Sequence, residues 1–434
     1  MFKKISESIK ARFNKTKKRI YQKNLRLFTR IIEKYPNNAI AYSIRGTTKR
    51  NLGDYQGTID DYNKSIELYP NAKTFHNRAA AKGNLGDYKG AIQDYNKALE
   101  LYPDFVDAYG YRGEAKDNLG DFEGAIQDYN KEIELNPNDA NAYFKRGNAK
   151  HRSGDYNGAI HDYNNAIEHN PNFAEAYENR GVTKGNLEDH KGAIQDYNKA
   201  VELNPNFADA YYYRGISKDK SGNGQDAIKD FNKAIELNPS HSEAYFSRGN
   251  TRDKLSEFSS AILDYNKAIE LGLDESKAYR ARGIAKGKIG DYEGAIQDYN
   301  KAIEINPNDP DTFYNRGIAK YNLGDYQGTI QEYNKAIELN PNYANAYGNR
   351  GAAKGSLKDY KGEIQDYNKA IELNPNNAKA YYNRGIAKYA FGDKAGACND
   401  WSKAGELGLT EAYDNINHFC KEKIGTVDPG HGQL

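Results

Sequence analysis

A proline returns along most of this chain at a fixed interval of 34 residues. The series is Pro36, Pro70, Pro103, Pro137, Pro171, Pro205, Pro239, Pro307, Pro341 and Pro375. One interval is 33 residues, and one is 68, in which Leu273 takes the position of the missing proline. The heptapeptide YNRGIAK at 314–320 and 382–388 therefore occupies the same position in repeats two periods apart. A constant period of this length predicts an array of one supersecondary unit.

Each repeat reads as two helices joined by a short turn. In the repeat that begins at Ala344, a first helical pattern ends near Gly355, and Asp359 is placed to cap a second helix. The second pattern ends at an Asn-Pro pair, where proline disfavours helix for the residue before it. A single hairpin of this kind cannot bury its own apolar face, so we expect neighbouring repeats to stack.

The residues that recur at fixed positions resemble those of the tetratricopeptide repeat family. Counting from Ala39, position 8 is Gly or Ala, position 20 is usually Ala, and position 24 is aromatic from Tyr62 to Trp401. Position 4 is aromatic in all eleven repeats: Tyr42, Phe75, Tyr109, Tyr143, Tyr177, Tyr211, Tyr245, Tyr279, Phe313, Tyr347 and Tyr381. The last repeat, at GACNDWSKAGELG, drifts towards the related Sel1-like repeats.

The resemblance implies an all-α fold, a right-handed α-solenoid (superhelix) of antiparallel helix pairs. We expect a basic N-terminal helix and degenerate half repeat at 1–38, read as a helix pair that caps the array, and eleven repeats at 39–411. A C-terminal cap helix at 412–425 and a flexible tail at 426–434 follow. The composition agrees, because Leu, Ile, Val and Phe together are less than a fifth of the chain while Tyr occurs 37 times. Such a chain favours a thin, elongated architecture.

Two columns of cations run through the repeats. Position 7 is Arg in every repeat, from Arg45 to Arg384, and position 11 is Lys except at Arg252. Position 23 is acidic in every repeat, from Asp61 to Asp400, so we predict that the arginines pair with these carboxylates. The net charge of +2 conceals 12 Lys/Arg against 2 Asp/Glu in residues 1–34, which leaves the repeats net acidic. Because phosphate binding needs unpaired cations, we expect no nucleic-acid partner.

No catalytic, cofactor or metal site is predicted. The eight histidines are scattered, no phosphate-binding loop motif is present, and no block outside the repeats is large enough for a catalytic domain. Cys398 and Cys420 are predicted to be two small buried thiols, with a disulfide as the alternative if the protein is exported. With no apolar signal core recognised at the N-terminus, we expect a cytoplasmic protein.

The first twenty residues leave three interpretations open. Phe2, Ile5, Ile9 and Phe13 fall near one face of a helix whose other face is basic. Such a helix caps the solenoid, lies on an anionic membrane surface, or acts as an organellar presequence. Peripheral membrane contact through residues 1–20 is therefore kept as the alternative function, a membrane-surface adaptor. The oligomeric state is not predicted.

Two carboxylates depart from the small-residue pattern. Glu132 stands at position 27 of repeat 3, and Glu363 stands at position 20 of repeat 10. A carboxylate in a close helix contact is unfavourable unless it leans out or finds a partner. We therefore expect these two repeats to be the least stable.

The resemblance also implies a function: a protein-interaction scaffold that is not an enzyme and binds a peptide or partner protein in a groove lined by first helices. Groove-lining positions in the family are 2, 5, 9, 12 and 13. Aromatic and isoleucine side chains recur there in repeats 9 and 11, flanking a repeat 10 without bulk, and asparagines stand at position 6. The predicted peptide-binding residues are Tyr314, Asn315, Ile318, Tyr321, Gly348, Asn349, Ala352, Gly355, Tyr382, Asn383, Ile386 and Tyr389.

Overall fold

All regular secondary structure in the described part of the chain is helical. The computed structural model describes residues 2–273 and 275–420. The chain divides into two compact units, residues 1–221 and 222–434, each with its own packing.

The first unit contains one long helix and eleven short ones. They are α1 (Phe2–Lys34), α2 (Ala39–Asn51), α3 (Tyr55–Leu68), α4 (Ala72–Asn84), α5 (Tyr88–Leu101), α6 (Val106–Asn118), α7 (Phe122–Leu135), α8 (Ala140–Ser153), α9 (Tyr156–His169), α10 (Ala174–Asn186), α11 (His190–Leu203) and α12 (Ala208–Lys220). Helices α2 to α11 form repeats 1 to 5, and α12 is the first helix of repeat 6.

The second unit begins with the second helix of repeat 6 and continues through repeats 7 to 11. Its helices are α13 (Gly224–Leu237), α14 (Ser242–Lys254), α15 (Phe258–Glu270), α16 (Glu275–Lys288), α17 (Tyr292–Ile305), α18 (Pro310–Asn322), α19 (Tyr326–Leu339), α20 (Ala344–Ser356), α21 (Tyr360–Leu373), α22 (Ala378–Phe391), α23 (Lys394–Glu406) and α24 (Glu411–Asn415). A π-helical segment, Ile416–Cys420, follows α24. Within each unit, consecutive helices pack in tandem as antiparallel pairs, which confirms the predicted all-α fold.

The turn inside each repeat is built by two residues. A glycine at positive φ, such as Gly324 at 79°, ends the first helix in eight of the repeats. The following Asp then caps the second helix, as where Asp325 Oδ1 accepts from the Gly328 N–H at 2.8 Å. Nine repeats have this side-chain cap, at Asp54, Asp87, Asp121, Asp155, Asp189, Asp291, Asp325, Asp359 and Asp393. The predicted capping role of this Asp is confirmed in these repeats.

In the repeats that lie wholly within one unit, the position-7 arginine donates to the position-23 carboxylate. In repeat 10, Arg350 Nε and Nη2 donate to Asp366 at 2.9 and 2.6 Å, and Lys354 Nζ lies 2.7 Å from the same carboxylate. The same arrangement is present in all ten repeats that lie wholly within one unit. The carboxylates are buried, so these pairs are shielded from water. The predicted pairing is confirmed in these ten repeats.

The same arginine also joins its repeat to the one before. Arg350 Nη1 donates to Asn334 Oδ1 at 2.6 Å, and Asn334 stands at position 25 of repeat 9. All ten junctions between consecutive repeats have this bond, at 2.5 to 2.8 Å. Each arginine additionally lies over the aromatic ring at position 4, as Arg350 does over Tyr347 at 5.3 Å. One guanidinium therefore connects both helices of a repeat to the preceding repeat.

The two unusual glutamates are buried rather than leaning out, and a glycine opposite makes room for each. The Glu132 carboxylate occupies the space where a side chain at Gly110 would project, 2.4 Å from that Cβ position. Its Oε1 lies 3.9 Å from Lys145 Nζ, and its Oε2 has no hydrogen-bond partner. Glu363 lies in the same way against Gly355. Burial raises the pKa of each carboxyl to about 7.

The two ends of the chain differ from the sequence prediction. A single continuous helix, α1, replaces the helix pair expected before repeat 1, because no turn interrupts residues 2–34. At the other end, α24 and the π-helical segment form the cap up to Cys420, and the predicted residues 421–425 and the tail 426–434 lie outside the described residues. Cys398 and Cys420 form a disulfide, so the prediction of two free thiols is wrong. The π-helical turn brings Cys420 back over α23, which the sequence pattern did not reveal.

We predict that Asp366→Asn destabilises the second unit by about 3 kcal/mol, because Arg350 and Lys354 then lose a buried partner. Hydrogen exchange of the α20 and α21 amides measures the loss. Glu372→Gln is the matched control on the same helix, since Glu372 pairs with Lys369 at the surface and the change is expected to stay below about 0.5 kcal/mol. Equal effects of the two substitutions would show that the buried pair adds nothing.

We predict that Glu363→Ala stabilises repeat 10 at pH 8 by about 1–3 kcal/mol, because it removes a buried carboxylate without a partner. The folded-state pKa of about 7 exceeds the ordinary 4.5, so folding favours the protonated form and the native state loses stability as pH rises from about 5 to above 7. The gain from the substitution should therefore vanish near pH 5. Slower amide exchange in α20 and α21 at pH 8 tests this, and a gain that is the same at both pH values would contradict it.

Candidate binding groove

Four of the eight groove residues predicted in repeats 9 and 10 line a cavity in the second unit. The cavity has a volume of about 170 Å³ and is lined by Ile318, Tyr321, Tyr333, Asn349 and Ala352. Tyr314, Asn315, Gly348 and Gly355 do not line it. Tyr333, at position 24, is not in the predicted set, because that set contains only residues of first helices. We call this cavity the repeat 9–10 cavity.

The tyrosines of repeat 9 are held by their neighbours. Tyr314 stacks on Tyr343 with ring centroids 4.9 Å apart, and its Oη accepts from Asn349 Nδ2 at 3.0 Å. Tyr343 in turn donates to Asp311 at 2.7 Å. Tyr321 packs edge-on against Tyr326, and its Oη lies 3.3 Å from Ser356 Oγ. The walls of the cavity are therefore preorganised by contacts within the protein.

The aromatic stripe of repeat 11 has a different environment from that of repeat 9. Tyr389 contacts Phe419 of the cap and Trp401 of α23, with centroids 4.7 and 5.8 Å away. Tyr382 packs in the same cluster, and its carbonyl accepts from Trp401 Nε1 at 3.2 Å. Ile386 alone of this stripe is exposed. The structure thus groups Tyr382 and Tyr389 with the C-terminal cap.

Two of the three predicted asparagines at position 6 make hydrogen bonds inside the protein. Asn315 Nδ2 donates to the Asp311 carbonyl at 2.8 Å, Asn349 Nδ2 donates to Tyr314 Oη at 3.0 Å, and Asn383 lies near Tyr367. Of these three, only Asn349 lines the repeat 9–10 cavity.

Repeat 10 is less empty than its sequence predicts. A side chain at Gly348 would meet no atom within 4 Å, as expected for an open strip. At Gly355, however, the Glu363 carboxylate already fills the corresponding space. The sequence could not show this, because Glu363 belongs to the second helix and reaches the groove face only through the gap that Gly355 leaves.

The groove face of the first unit is polar, and its charges pair with one another. Lys145 lies 2.8 Å from Glu114, and Arg152 lies 2.6 Å from Asp117 while its guanidinium stacks on Phe122. A cavity of about 270 Å³ there is lined by Asp117, Asn148, His151, Arg152, Tyr163, Asn179 and Val182. Burial raises the pKa of Asp117 in repeat 3, and burial raises the pKa of Glu178 in repeat 5 to about 7.

The Asp117–Arg152 arrangement has a counterpart in the second unit. Asp253 pairs with Lys288 at 2.7 Å, and the lysine lies over Phe258 at 5.0 Å. In both cases an acid at position 12 meets a cation at position 13 of the next repeat, above a phenylalanine at position 17. Sequence analysis missed these pairs, although the 35-residue spacing between acid and cation was a readable signal.

The described helices offer no membrane span and no metal cluster. Among them, none is both long and apolar enough to cross a membrane. In the same part of the chain, no three His, Cys, Asp or Glu side chains stand together as metal ligands would.

Comparisons with known families identify the repeats. A family model described as "TPR repeat" matches residues 118–154, 147–188, 186–222, 287–324 and 356–392. Two models described as "Tetratricopeptide repeat" match residues 72–105, 208–241 and 310–343, and residues 94–127. Together these ranges span more than half of the chain. No range extends beyond residue 392, so the Sel1-like drift of the last repeat stays a prediction.

Several solved structures are similar to part or most of the chain. The crystal structure of MamA is 29% identical with a TM-score of 0.36, over 38% of this chain and 96% of that one. YrrB, described as a TPR protein with an unusual peptide-binding site, is 22% identical with a TM-score of 0.39, over 43% and 96%. The APC/C hetero-tetramer Cut9–Hcn1 is 16% identical with a TM-score of 0.46, over 93% and 94%. No curated protein sequence matches the chain. On the family models and the tandem helix pairs, the chain belongs to the tetratricopeptide repeat family.

Proposed function

We propose that this protein is a non-enzymatic interaction scaffold that binds an extended segment of a partner protein along its second unit. The observation that carries the proposal is the repeat 9–10 cavity. Its walls combine the apolar surface of Ile318, Tyr321 and Ala352 with one amide, Asn349. A concave site with largely apolar walls and a few polar groups suits one anchoring side chain of a peptide.

The charge distribution supports a protein partner over nucleic acid. The arginines at position 7 are half-buried and fully engaged by carboxylates and asparagines in the repeats that lie within one unit. Cations that are already paired release no counterions on meeting phosphate, so they add little to nucleic-acid affinity.

The first unit is the less favourable place for an apolar anchor. Its groove cations, Lys145 and Arg152, already pair with groove carboxylates at 2.8 and 2.6 Å. A partner that binds there must break these ion pairs or form further polar contacts with them. Such a partner would be recognised mainly through hydrogen bonds and charges.

The membrane-surface adaptor remains a second proposal for α1. The helix is continuous, carries no acidic residue in its first turn, and exposes Ile20 and Leu27 seven residues apart on one face. The side chains of residues 1–15, which carried the sequence argument, lie outside the described residues. Sedimentation with and without anionic vesicles, for the chain with and without residues 1–30, separates the two proposals.

We predict that Ala352→Trp, which fills the repeat 9–10 cavity, weakens peptide binding at least tenfold. The probe is a set of twelve-residue peptides selected from a random library on the full chain, titrated by fluorescence polarisation. The matched control is Ala80→Trp, at the same position 9 of repeat 2, where Ala80 lines a cavity of about 240 Å³ in the first unit.

The control is expected to leave affinity unchanged. Loss of binding in Ala80→Trp, with none in Ala352→Trp, would move the site to the first unit. A selection that yields no binding peptide would contradict the scaffold proposal itself.

A further inference from the structure

Glu363 is a buried carboxylate placed where other repeats have none. Position 20 is Ala in eight repeats and Thr in two, and it is Glu only in repeat 10. The residue is 8% exposed, and no hydrogen bond or ion pair to its side chain is present among the described residues. The carboxylate is therefore largely removed from water and has gained no partner within the protein.

The carboxylate reaches the groove face beside the repeat 9–10 cavity. A Cβ built on Gly355 would lie 2.5 Å from Glu363 Oε2 and 2.7 Å from its Oε1, so the carboxylate occupies the place of a groove side chain. Gly355 follows Ala352 by three residues in α20, and residues at this spacing are neighbours on one helix face. Tyr321, a wall of the cavity, extends towards the same end of α20, where its Oη lies 3.3 Å from Ser356.

The two cations of the facing helix, α20, already pair with another carboxylate. Lys354 lies 2.7 Å from Asp366, and Arg350 forks onto the same carboxylate. The charged neighbour that acts on Glu363 is Asp359, which adds negative potential and, after burial, helps to raise the pKa of the carboxyl to about 7. The site therefore has an acceptor and a local negative potential, and neither cation of α20 pairs with it.

We propose that this groove takes a basic anchor, an arginine or lysine side chain of an extended partner segment, whose stem fills the repeat 9–10 cavity and whose charged head donates to Glu363. The inference rests on the proposed function, because it names the anchor for the same site. Long cationic side chains bury an apolar stem while the charged head stays polar, which matches Ile318 and Tyr321 followed by a carboxylate. The Tyr321 ring adds a face for a cation.

Other anchors fit less well. An aliphatic or aromatic side chain fills the cavity but leaves Glu363 desolvated and unpaired. An acidic side chain meets a like charge in a buried place, which is unfavourable. Only a cationic donor both fills the cavity and completes the hydrogen bonding of the carboxylate.

The test uses three nonapeptide libraries that differ only in the fixed central residue: arginine, its uncharged isostere citrulline, and glutamate. Each is titrated against the full chain at pH 8, where the carboxyl is ionised. We expect the arginine library to bind about tenfold more tightly than the citrulline library, as a charge-assisted hydrogen bond allows. The glutamate library should bind most weakly.

Two isosteric variants complete the experiment. Glu363→Gln should abolish the preference for arginine and leave binding of the citrulline library intact. Glu132→Gln, the matched buried glutamate of the first unit, should keep the preference. Circular dichroism of both variants checks that the helices are retained.

The outcomes separate the two proposals. Equal affinity for arginine and citrulline, or a preference that survives in Glu363→Gln, overturns the basic anchor. If binding still depends on Ala352 in that case, the proposed function stands without it. If no library binds the parent chain, the proposed function fails as well.

Discussion

Each junction between repeats depends on an arginine that is bonded on three sides. One of its nitrogens donates to an asparagine of the preceding repeat, and its plane covers an aromatic ring one turn earlier. In the repeats that lie wholly within one unit, its other nitrogens donate to the buried carboxylate of the second helix. Arginine is suited to this role because its planar group donates in several fixed directions, whereas a lysine offers a single point charge. The columns of cations are thus structural, and the proposed binding groove depends on other residues.

Much of this arrangement could be predicted from the sequence, because the same residue types recur at the same positions in successive repeats. Arg at position 7 and an acid at position 23 recur in every repeat, so their pairing was readable without coordinates. Asparagine recurs at position 25 from Asn63 to Asn368. Because this residue is uncharged, the matching of opposite charges does not identify it as a partner of the arginine. Repeat 11 has Ser402 instead of asparagine at position 25, and no arginine occurs in the residues after it.

The groove was less predictable, because each repeat differs there and because side chains from second helices enter it. Because glycine has no side chain, Gly355 predicts empty space in the groove. In the structure, the Glu363 carboxylate fills that space. Tyr389 reads as a groove wall, yet the cap packs Phe419 against it. The disulfide between Cys398 and Cys420 depends on the path of the π-helical segment. The cytoplasmic location expected from the sequence stays a prediction.

The junction is tested most directly by a double-mutant cycle between Asn334 and Arg350. Asn334→Ala removes the acceptor, and Arg350→Lys removes the third donor while retaining a positive charge for Asp366. Hydrogen exchange of the α19 to α21 amides gives the free energies, because a repeat array does not unfold as a single two-state unit. The account predicts a coupling energy of about 1–2 kcal/mol, and additivity in the control cycle of Asn334→Ala with Arg384→Lys, whose side chains are not bonded to each other. Additivity in the Asn334–Arg350 cycle to within about 0.3 kcal/mol would contradict it.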